Sequence, residues 1–283
     1  MIFDDRHCTL GEGPLWHPVR EQLFWFDIMG KRLLSREGDT PLVWEFDEHV
    51  SAAGWVDRDT LLIASDRRLL TLDLKGDTCT TVCPLEADNP ATRSNDGRAD
   101  PWGGFWIGTM GLNAQPGAGA IYRYHKGELR TLVSPISIPN AICFTPDAGH
   151  AHFADTPTGT IWRVALDKDG WFAGEPEPWV DLTDWDGRPD GAVIDAEGVF
   201  WNAQFGAGRV AAYDARGQFV RSVTLTGSQT TCPAFGGPDL STLFCTSAQE
   251  GLDAAQINTN ADHGRTFAIE DVATGRPEPQ IRL

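Results

Sequence analysis

The chain alternates between polar turns and short apolar runs that are rich in β-branched and aromatic residues. The pattern is clearest after Gly187, where the apolar runs 192–194 and 199–203 flank a polar turn at 195–198. Runs of this length and composition, bounded by Gly, Asp and Pro, are typical of β-strands. Ahead of the first run, Pro189-Asp190-Gly191 predicts a tight turn that holds one carboxylate at the mouth of a strand.

This unit occurs six times along the chain. The units begin 40 to 50 residues apart, at Glu12, Ala52, Asn95, Asn140, Asp190 and Ala234. A pair of large, mostly apolar residues follows each start by 9 to 12 positions: Phe24-Trp25, Leu61-Leu62, Phe105-Trp106, His152-Phe153, Phe200-Trp201 and Leu243-Phe244. A strand-rich period of about 40 to 50 residues is the signature of propeller blades. The sequence therefore predicts an all-β, six-bladed β-propeller, with no amphipathic helix of useful length.

The two ends of the chain are expected to meet in one blade. Residues 1–10 predict a short strand, and the apolar segment Thr266–Ile269 is its natural partner. Pairing of the N- and C-terminal strands closes the ring and removes exposed sheet edges. Length alone would suggest about two domains. Because the repeat runs through the chain without a linker, we expect a single propeller domain over residues 1–283.

The charge composition of the chain limits the kinds of molecule that it is expected to bind. Lysine and arginine number 23 against 40 aspartate and glutamate residues, so the formal charge is −17. The absence of a basic cluster argues against binding to nucleic acid or to an anionic membrane, and we interpret the acidity as a solubility trait. The N-terminus has no basic segment followed by an apolar stretch, and no apolar run reaches transmembrane length. We therefore expect a cytoplasmic protein.

Four of the six repeat starts are polar. Equivalent positions of different blades surround the axis of a propeller, so Glu12, Asn140 and Asp190 are expected to converge. Their oxygen atoms suit a hard divalent cation, and without one the two carboxylates would repel each other. Alanine at two other starts leaves room for a ligand. The alternative is that the polar residues only cap turns.

Four motifs occur in order along the chain: Leu10-Gly11-Glu12-Gly13-Pro14-Leu15-Trp16, Arg93-Ser94-Asn95-Asp96-Gly97, Pro139-Asn140 and Pro189-Asp190-Gly191. With this spacing the sequence resembles the regucalcin/gluconolactonase family of SMP-30-like sugar lactonases, over nearly its whole length. The resemblance implies a six-bladed propeller with one divalent metal in its central mouth, of the kind Ca, Mg, Mn, Zn or Fe.

The resemblance also assigns roles to residues. Glu12, Asn140 and Asp190 match the metal ligands of the family, and Arg93 and Asn95 match its substrate contacts. A further, acidic substrate contact of the family falls near Asn113, which is not acidic. This departure leaves the identity of the sugar open.

The implied activity is a metal-dependent hydrolase that opens a sugar (aldono-) lactone to the aldonic acid in sugar catabolism. The cation would polarise the ester carbonyl and lower the pKa of water. Asp190 would accept the proton of that water, and Arg93 would donate hydrogen bonds to sugar hydroxyls or to developing negative charge. The sequence leaves open whether Asp190 or a metal-bound hydroxide is the effective base.

Two other functions are compatible with the same propeller. One is a phosphotriesterase-like or aryl-ester hydrolase, which a larger and more apolar mouth would favour. The other is a non-enzymatic ligand-binding propeller, which would not need three oxygen ligands at repeat starts. The fold alone does not choose among them.

Overall fold

Strands dominate the computed structural model, which describes residues 1–283. The chain starts with β1 (Ile2–Asp4). Blade one contains β2 (Gly11–His17), β3 (Gln22–Asp27), β4 (Arg32–Glu37) and β5 (Thr40–Glu45). Blade two contains β6 (Val50–Trp55), β7 (Thr60–Ser65), β8 (Arg68–Asp73) and β9 (Thr78–Pro84). Blade three contains β10 (Thr92–Ala99), β11 (Phe105–Gly111), β12 (Gly119–His125) and β13 (Glu128–Ile136).

The second half of the chain continues this order. Blade four contains β14 (Pro139–Phe144), β15 (His150–Asp155), β16 (Thr160–Ala165) and β17 (Glu177–Asp181). Blade five contains β18 (Arg188–Ile194), β19 (Phe200–Phe205), β20 (Arg209–Tyr213) and β21 (Phe219–Thr224). Blade six contains β22 (Thr230–Gly236), β23 (Thr242–Ser247), β24 (Thr266–Ile269) and β1. The predicted six-bladed, all-β architecture is confirmed.

The ring closes in blade six. Strand β1 pairs antiparallel with β24, with Ile2 opposite Phe267, as predicted from the two chain ends. The first strand of each blade except the last contacts the first strand of the next blade, and β22 contacts β2 to complete the circle. These six innermost strands surround the central channel, and we call the end at which they begin the mouth.

The core lies between adjacent blades. The six predicted pairs of large residues all fall on the second strand of their blades and are buried. Trp25, Trp106 and Trp201 are at most 1% exposed. Consecutive residues of one strand are both buried because each face of a blade packs against a neighbouring blade. Large aromatic side chains supply much of the area that this packing removes from water.

Every innermost strand has an irregularity near its beginning. The register shifts lie at Glu12/Leu15, Val50/Ala52, Ser94/Gly97, Asn140/Cys143, Pro189/Ala192 and Thr230/Pro233. A bulge turns side chains away from the regular alternation of a strand. The tight turn predicted at Pro189-Asp190-Gly191 is wrong, since these residues lie inside β18, at its bulge. The same residue types suit both features, because each needs a locally bent backbone.

Helices are few and short: a 3-10 turn at Thr156–Thr158 and α1 at Ala254–Thr259. Neither is long and apolar enough to cross a membrane. The six cysteines are all free. After β24, residues 270–283 have no regular secondary structure.

Candidate metal centre

Four polar residues at the repeat starts lie together beside the mouth of the channel. Glu12, Asn95, Asn140 and Asp190 come from blades one, three, four and five, and each is at most 7% exposed. Each lies at the register shift of its innermost strand. The bulges therefore explain how residues of four separate blades reach one place with polar side chains away from solvent.

Two of these residues form a carboxyl pair. Glu12 and Asp190 are close enough to share a hydrogen bond when one of them carries a proton. Burial raises the pKa of Glu12, and the charge of Asp96 raises it further. Burial also raises the pKa of Asp190, followed by the charges of Glu12 and Asp96. Two buried carboxylates beside a third, Asp96, are costly when ionised, so this pair favours the binding of a cation.

The orientation of the Asn140 amide follows from its partners. Its Nδ2 donates to Thr156 Oγ1 at 2.8 Å, and Thr156 Oγ1 donates to the Pro189 carbonyl, also at 2.8 Å. Asn140 Oδ1 accepts from Asn95 Nδ2 at 3.1 Å. Because the hydroxyl proton of Thr156 goes to Pro189, the hydroxyl can only accept from Asn140. The amide oxygen is therefore the atom that faces the other polar residues.

The donor set fits a hard divalent cation. Glu12 and Asp190 offer carboxylate oxygens, and Asn140 offers an amide oxygen whose direction is fixed. Oxygen donors of this kind bind Ca²⁺, Mg²⁺ and Mn²⁺. No group of three or more His, Cys, Asp and Glu side chains in the structure is arranged to hold a metal; the candidate set combines two carboxylates with an amide.

Arg93 and Asn95 extend this network beyond Asn140. Arg93 Nη1 donates to Asn95 Oδ1 and to the Ser94 carbonyl, each at 2.9 Å. Its Nε and Nη2 make no hydrogen bond to the protein, so these donors are free for a bound molecule. Burial lowers the pKa of Arg93, while the charges of Glu250 and Glu12 oppose that effect. Arg93 thus brings positive charge and unused donors next to the carboxyl pair.

Asn113 is not part of this network. It is exposed in the loop after β11, and its backbone N–H donates to Gln115 Oε1 at 3.1 Å. No hydrogen bond joins it to Arg93 or Asn95. The loop is nevertheless on the mouth side of blade three, because Gly111 pairs with Thr92 at the beginning of β10.

Two residues of the centre escaped the sequence prediction. Thr156 gave no signal, since a threonine 16 residues after Asn140 has no recognisable relation to it. Asp96 lies inside the Asn95-Asp96-Gly97 motif, but its residue type and position did not indicate a role for it. It is 4% exposed and accepts from the Ile142 N–H at 2.8 Å, and burial raises its pKa to about 6.

Known proteins with similar sequences and structures match nearly the whole chain. Residues 10–249 match the family described as SMP-30/Gluconolactonase/LRE-like region. A putative sugar lactone lactonase of Rhizobium meliloti is 39% identical over 277 residues, which cover 97% of this chain and 94% of that protein. A pentonolactonase of Haloferax volcanii is 33% identical over 281 residues, covering 97% and 95%.

The solved structures agree with the sequences. The crystal structure of regucalcin from Agrobacterium tumefaciens, described as a calcium-binding protein, superposes with a TM-score of 0.98 at 41% identity. The match covers 100% of this chain and 97% of that one. The chain therefore belongs to the SMP-30/gluconolactonase/LRE-like family.

Proposed function

We propose that this protein is a divalent-metal-dependent lactonase that hydrolyses a sugar lactone to the aldonic acid. The observation that carries the proposal is a set of three buried oxygen donors from three blades. Glu12 and Asp190 interact with each other, and Asn140 is joined through Thr156 to Pro189, the neighbour of Asp190. Several similar proteins are named as sugar lactonases, among them the pentonolactonase and a 6-deoxy-6-sulfogluconolactonase of Pseudomonas putida at 33% identity. These names support an aldonolactone as the substrate class.

Glu12, Asn140 and Asp190 are the proposed ligands. A bound divalent cation would withdraw electron density from the lactone carbonyl and acidify water. The protein contributes two negative charges and one oriented amide oxygen, which together select a hard cation. Thr156 fixes the orientation of that amide, because its hydroxyl donates to the Pro189 carbonyl and can only accept from Asn140 Nδ2.

Asp190 is proposed to move the proton. A water oxygen attacks the carbonyl carbon of the lactone while its proton passes to the Asp190 carboxylate. The tetrahedral intermediate then collapses, the bond from the carbonyl carbon to the ring oxygen breaks, and the proton returns from Asp190 to that oxygen. The product is an open hydroxy acid, which ionises at neutral pH and releases one proton to solution.

Arg93 and Asn95 are proposed to hold the sugar. The free donors of Arg93 suit a sugar hydroxyl or the negative charge that develops on the carbonyl oxygen. Charges at Glu12, Asp66, Asp190 and Glu250 all act on Arg93, which makes the mouth strongly polar. A polar mouth favours a hydroxylated substrate over an aryl ester or phosphotriester.

Asn113 is a proposed contact of the outer part of the substrate. It is exposed on the mouth side of blade three, where a larger lactone would reach it. A small-molecule sugar lactone is the partner that we propose, and a cytoplasmic location stays a prediction.

The test is a panel of freshly made five- and six-carbon aldonolactones, assayed by acid release against the spontaneous rate. The protein is first stripped with a chelator and then supplied with Ca²⁺, Mg²⁺, Mn²⁺ or Zn²⁺. We expect hydrolysis of at least one lactone that stops on stripping and returns with a cation. Hydrolysis that does not depend on metal would refute the proposed metal dependence. Turnover of aryl esters alone would refute the assignment of a sugar lactone as the substrate.

A further inference from the structure

We infer that Arg98 and Glu278 form a clamp that holds the metal-ligand strands of blades four and five in position. The inference rests on the proposed function, because it treats Asn140 and Asp190 as ligands. It adds two positioning residues that lie below the centre, on the far side of it from the mouth.

Arg98 bridges two blades through its guanidinium group. It lies on β10, three residues after Asn95, and its Nε donates to the Ile142 carbonyl at 3.2 Å. Its Nη2 donates to the Ala192 carbonyl at 3.0 Å. One side chain of blade three therefore fixes the backbones of β14 and β18 relative to each other.

The two carbonyls have a particular place in their strands. Ile142 and Ala192 each follow a proposed ligand, Asn140 or Asp190, by two residues. Ile142 lies within the bulge of β14, and Ala192 is the residue at which regular pairing resumes in β18. A bulge leaves backbone groups without ladder partners, so hydrogen bonds from Arg98 compensate where the strands are least supported by their own sheets.

Glu278 supplies the counter-charge. Its carboxylate accepts a hydrogen bond from Arg98 Nη1, and the two side chains are 11% and 9% exposed. A guanidinium group presents donors in a fixed planar fork, so it can bond to two carbonyls and one carboxylate at once. An ammonium group at the same position lacks that reach. Removal of one partner of a buried ion pair leaves an uncompensated charge.

The C-terminal segment holds Glu278 in place. Trp55 Nε1 donates to the Glu278 carbonyl at 2.8 Å, and the Ile281 N–H donates to the Trp55 carbonyl at 2.8 Å. Further bonds run from the Arg282 N–H to the Gly103 carbonyl and from Arg276 Nη2 to the Phe144 carbonyl. These hydrogen bonds hold the segment against blades two, three and four, and they fix the backbone of Glu278 beside Arg98.

The experiment compares Arg98→Lys with a matched control, Arg123→Lys. Arg123 also forms a buried ion pair in blade three, with Asp100 at 2.6 Å and both side chains 0% exposed, but it bonds to no strand that carries a proposed ligand. Both variants lose one guanidinium from a buried pair. Glu278→Gln is the second variant: it removes the counter-charge of Arg98 but keeps an oxygen acceptor and leaves the two hydrogen bonds from Arg98 to the carbonyls in place.

Two readouts are measured: the Kd for Mn²⁺ of the stripped protein by calorimetry, and hydrogen–deuterium exchange of the metal-free protein. For Arg98→Lys we expect a 10- to 100-fold weaker Kd, the range for loss of groups that orient ligands. We also expect faster exchange over residues 139–144 and 189–194. Glu278→Gln should shift both readouts in the same direction by less, and Arg123→Lys should shift neither.

The clamp would be refuted if folded Arg98→Lys kept the wild-type Mn²⁺ affinity or the wild-type exchange in both strands. An equal loss in Arg123→Lys would also refute it, because the effect would then be general destabilisation. If Arg98→Lys does not fold, wild-type values of both readouts in Glu278→Gln refute the clamp. A wild-type protein that neither binds Mn²⁺ nor opens a lactone would refute the proposed function, whereas the exchange comparison would still test the clamp.

Discussion

Replacement of Thr156 by valine should weaken metal binding at the proposed centre, although none of the proposed ligands is replaced. Thr156 accepts from Asn140 Nδ2 and donates to the Pro189 carbonyl. Valine has nearly the same shape but no hydroxyl, so both partners lose a hydrogen bond. The amide of Asn140 then keeps only the hydrogen bond from Asn95 Nδ2 to its Oδ1, so its orientation is fixed at one end instead of two.

The size of the effect follows from these two hydrogen bonds. Each is worth about 1 kcal/mol net, and more where a buried partner stays unsatisfied. We expect a loss of roughly 2 kcal/mol in the free energy of unfolding. Loss of a group that orients a ligand typically weakens metal binding about 10- to 100-fold, which corresponds to about 1.4 to 2.8 kcal/mol.

The short 3-10 helix Thr156–Thr158, which contains Thr156, also offers a control. Thr158 Oγ1 donates to the Asp155 carbonyl at 2.7 Å and is exposed, so Thr158→Val removes a hydroxyl that does not contact Asn140. Metal titration of stripped protein and urea unfolding are measured for Thr156→Val, Thr156→Ser and Thr158→Val. The serine variant keeps the hydroxyl and should bind metal nearly as well as wild type.

Unchanged metal affinity in folded Thr156→Val would contradict the assignment of Thr156 as the residue that orients the amide. Equal weakening in Thr158→Val would do so as well, since the cause would then be loosening of the helix. A loss of stability with wild-type metal affinity would leave Thr156 a structural residue only.

Three further predictions concern single side chains. Asp190→Asn keeps an oxygen donor but loses charge and basicity, so its plateau rate at saturating metal should stay at least about 100-fold below that of the wild type. Glu12→Gln should recover more of the wild-type rate at saturating metal. Full recovery of Asp190→Asn would make Asp190 a ligand only. Arg93→Ala should lower kcat/KM by on the order of 100-fold with metal still bound, and parallel loss of metal measured by elemental analysis would show that the role is wrong. Burial lowers the pKa of His152 to about 3, with smaller effects from the charges of Arg163 and His150. The unfolded state therefore takes up a proton first as the pH falls below about 6.5, and roughly 2 kcal/mol of stability is lost between pH 7 and pH 5. Urea unfolding of His152→Leu should lack this loss, and an identical pH dependence would contradict the neutral buried state.

The blades were predictable because two signals repeat together. A polar or small start and a large pair about ten residues later mark the innermost strand and its neighbour in each blade. The pairs fall on β3, β7, β11, β15, β19 and β23, since the second strand is covered on both faces. That residues 1–283 form a single domain stays a prediction.

The bulges were not predictable from local sequence. Pro189-Asp190-Gly191 has the composition of a turn, and only the pairing of β18 with β19 shows that the strand continues through it. The bulge decides where the Asp190 side chain lies, so the error concerned the backbone conformation, and the role of Asp190 stays a prediction. The helix α1 did carry a signal, the capping box of Asp253 and Gln256, although the helix is too short for an amphipathic pattern.

The supporting residues were hidden for a different reason. Thr156 acts through the Pro189 carbonyl, and Arg98 acts through the carbonyls of Ile142 and Ala192. A carbonyl group is present at every residue, so such a contact leaves no trace in residue type or spacing. Contacts of this kind depend on distances between blades, which only the assembled ring defines.

The most direct test of the account is the position of the metal. Crystals of the protein are soaked with Mn²⁺, and an anomalous difference map is calculated from data collected above the manganese edge. We predict one strong peak in contact with Glu12, Asn140 and Asp190 oxygens, and its absence from crystals of Asp190→Ala. A peak at other residues, or no peak at the mouth in protein that hydrolyses a lactone with Mn²⁺, would contradict the account.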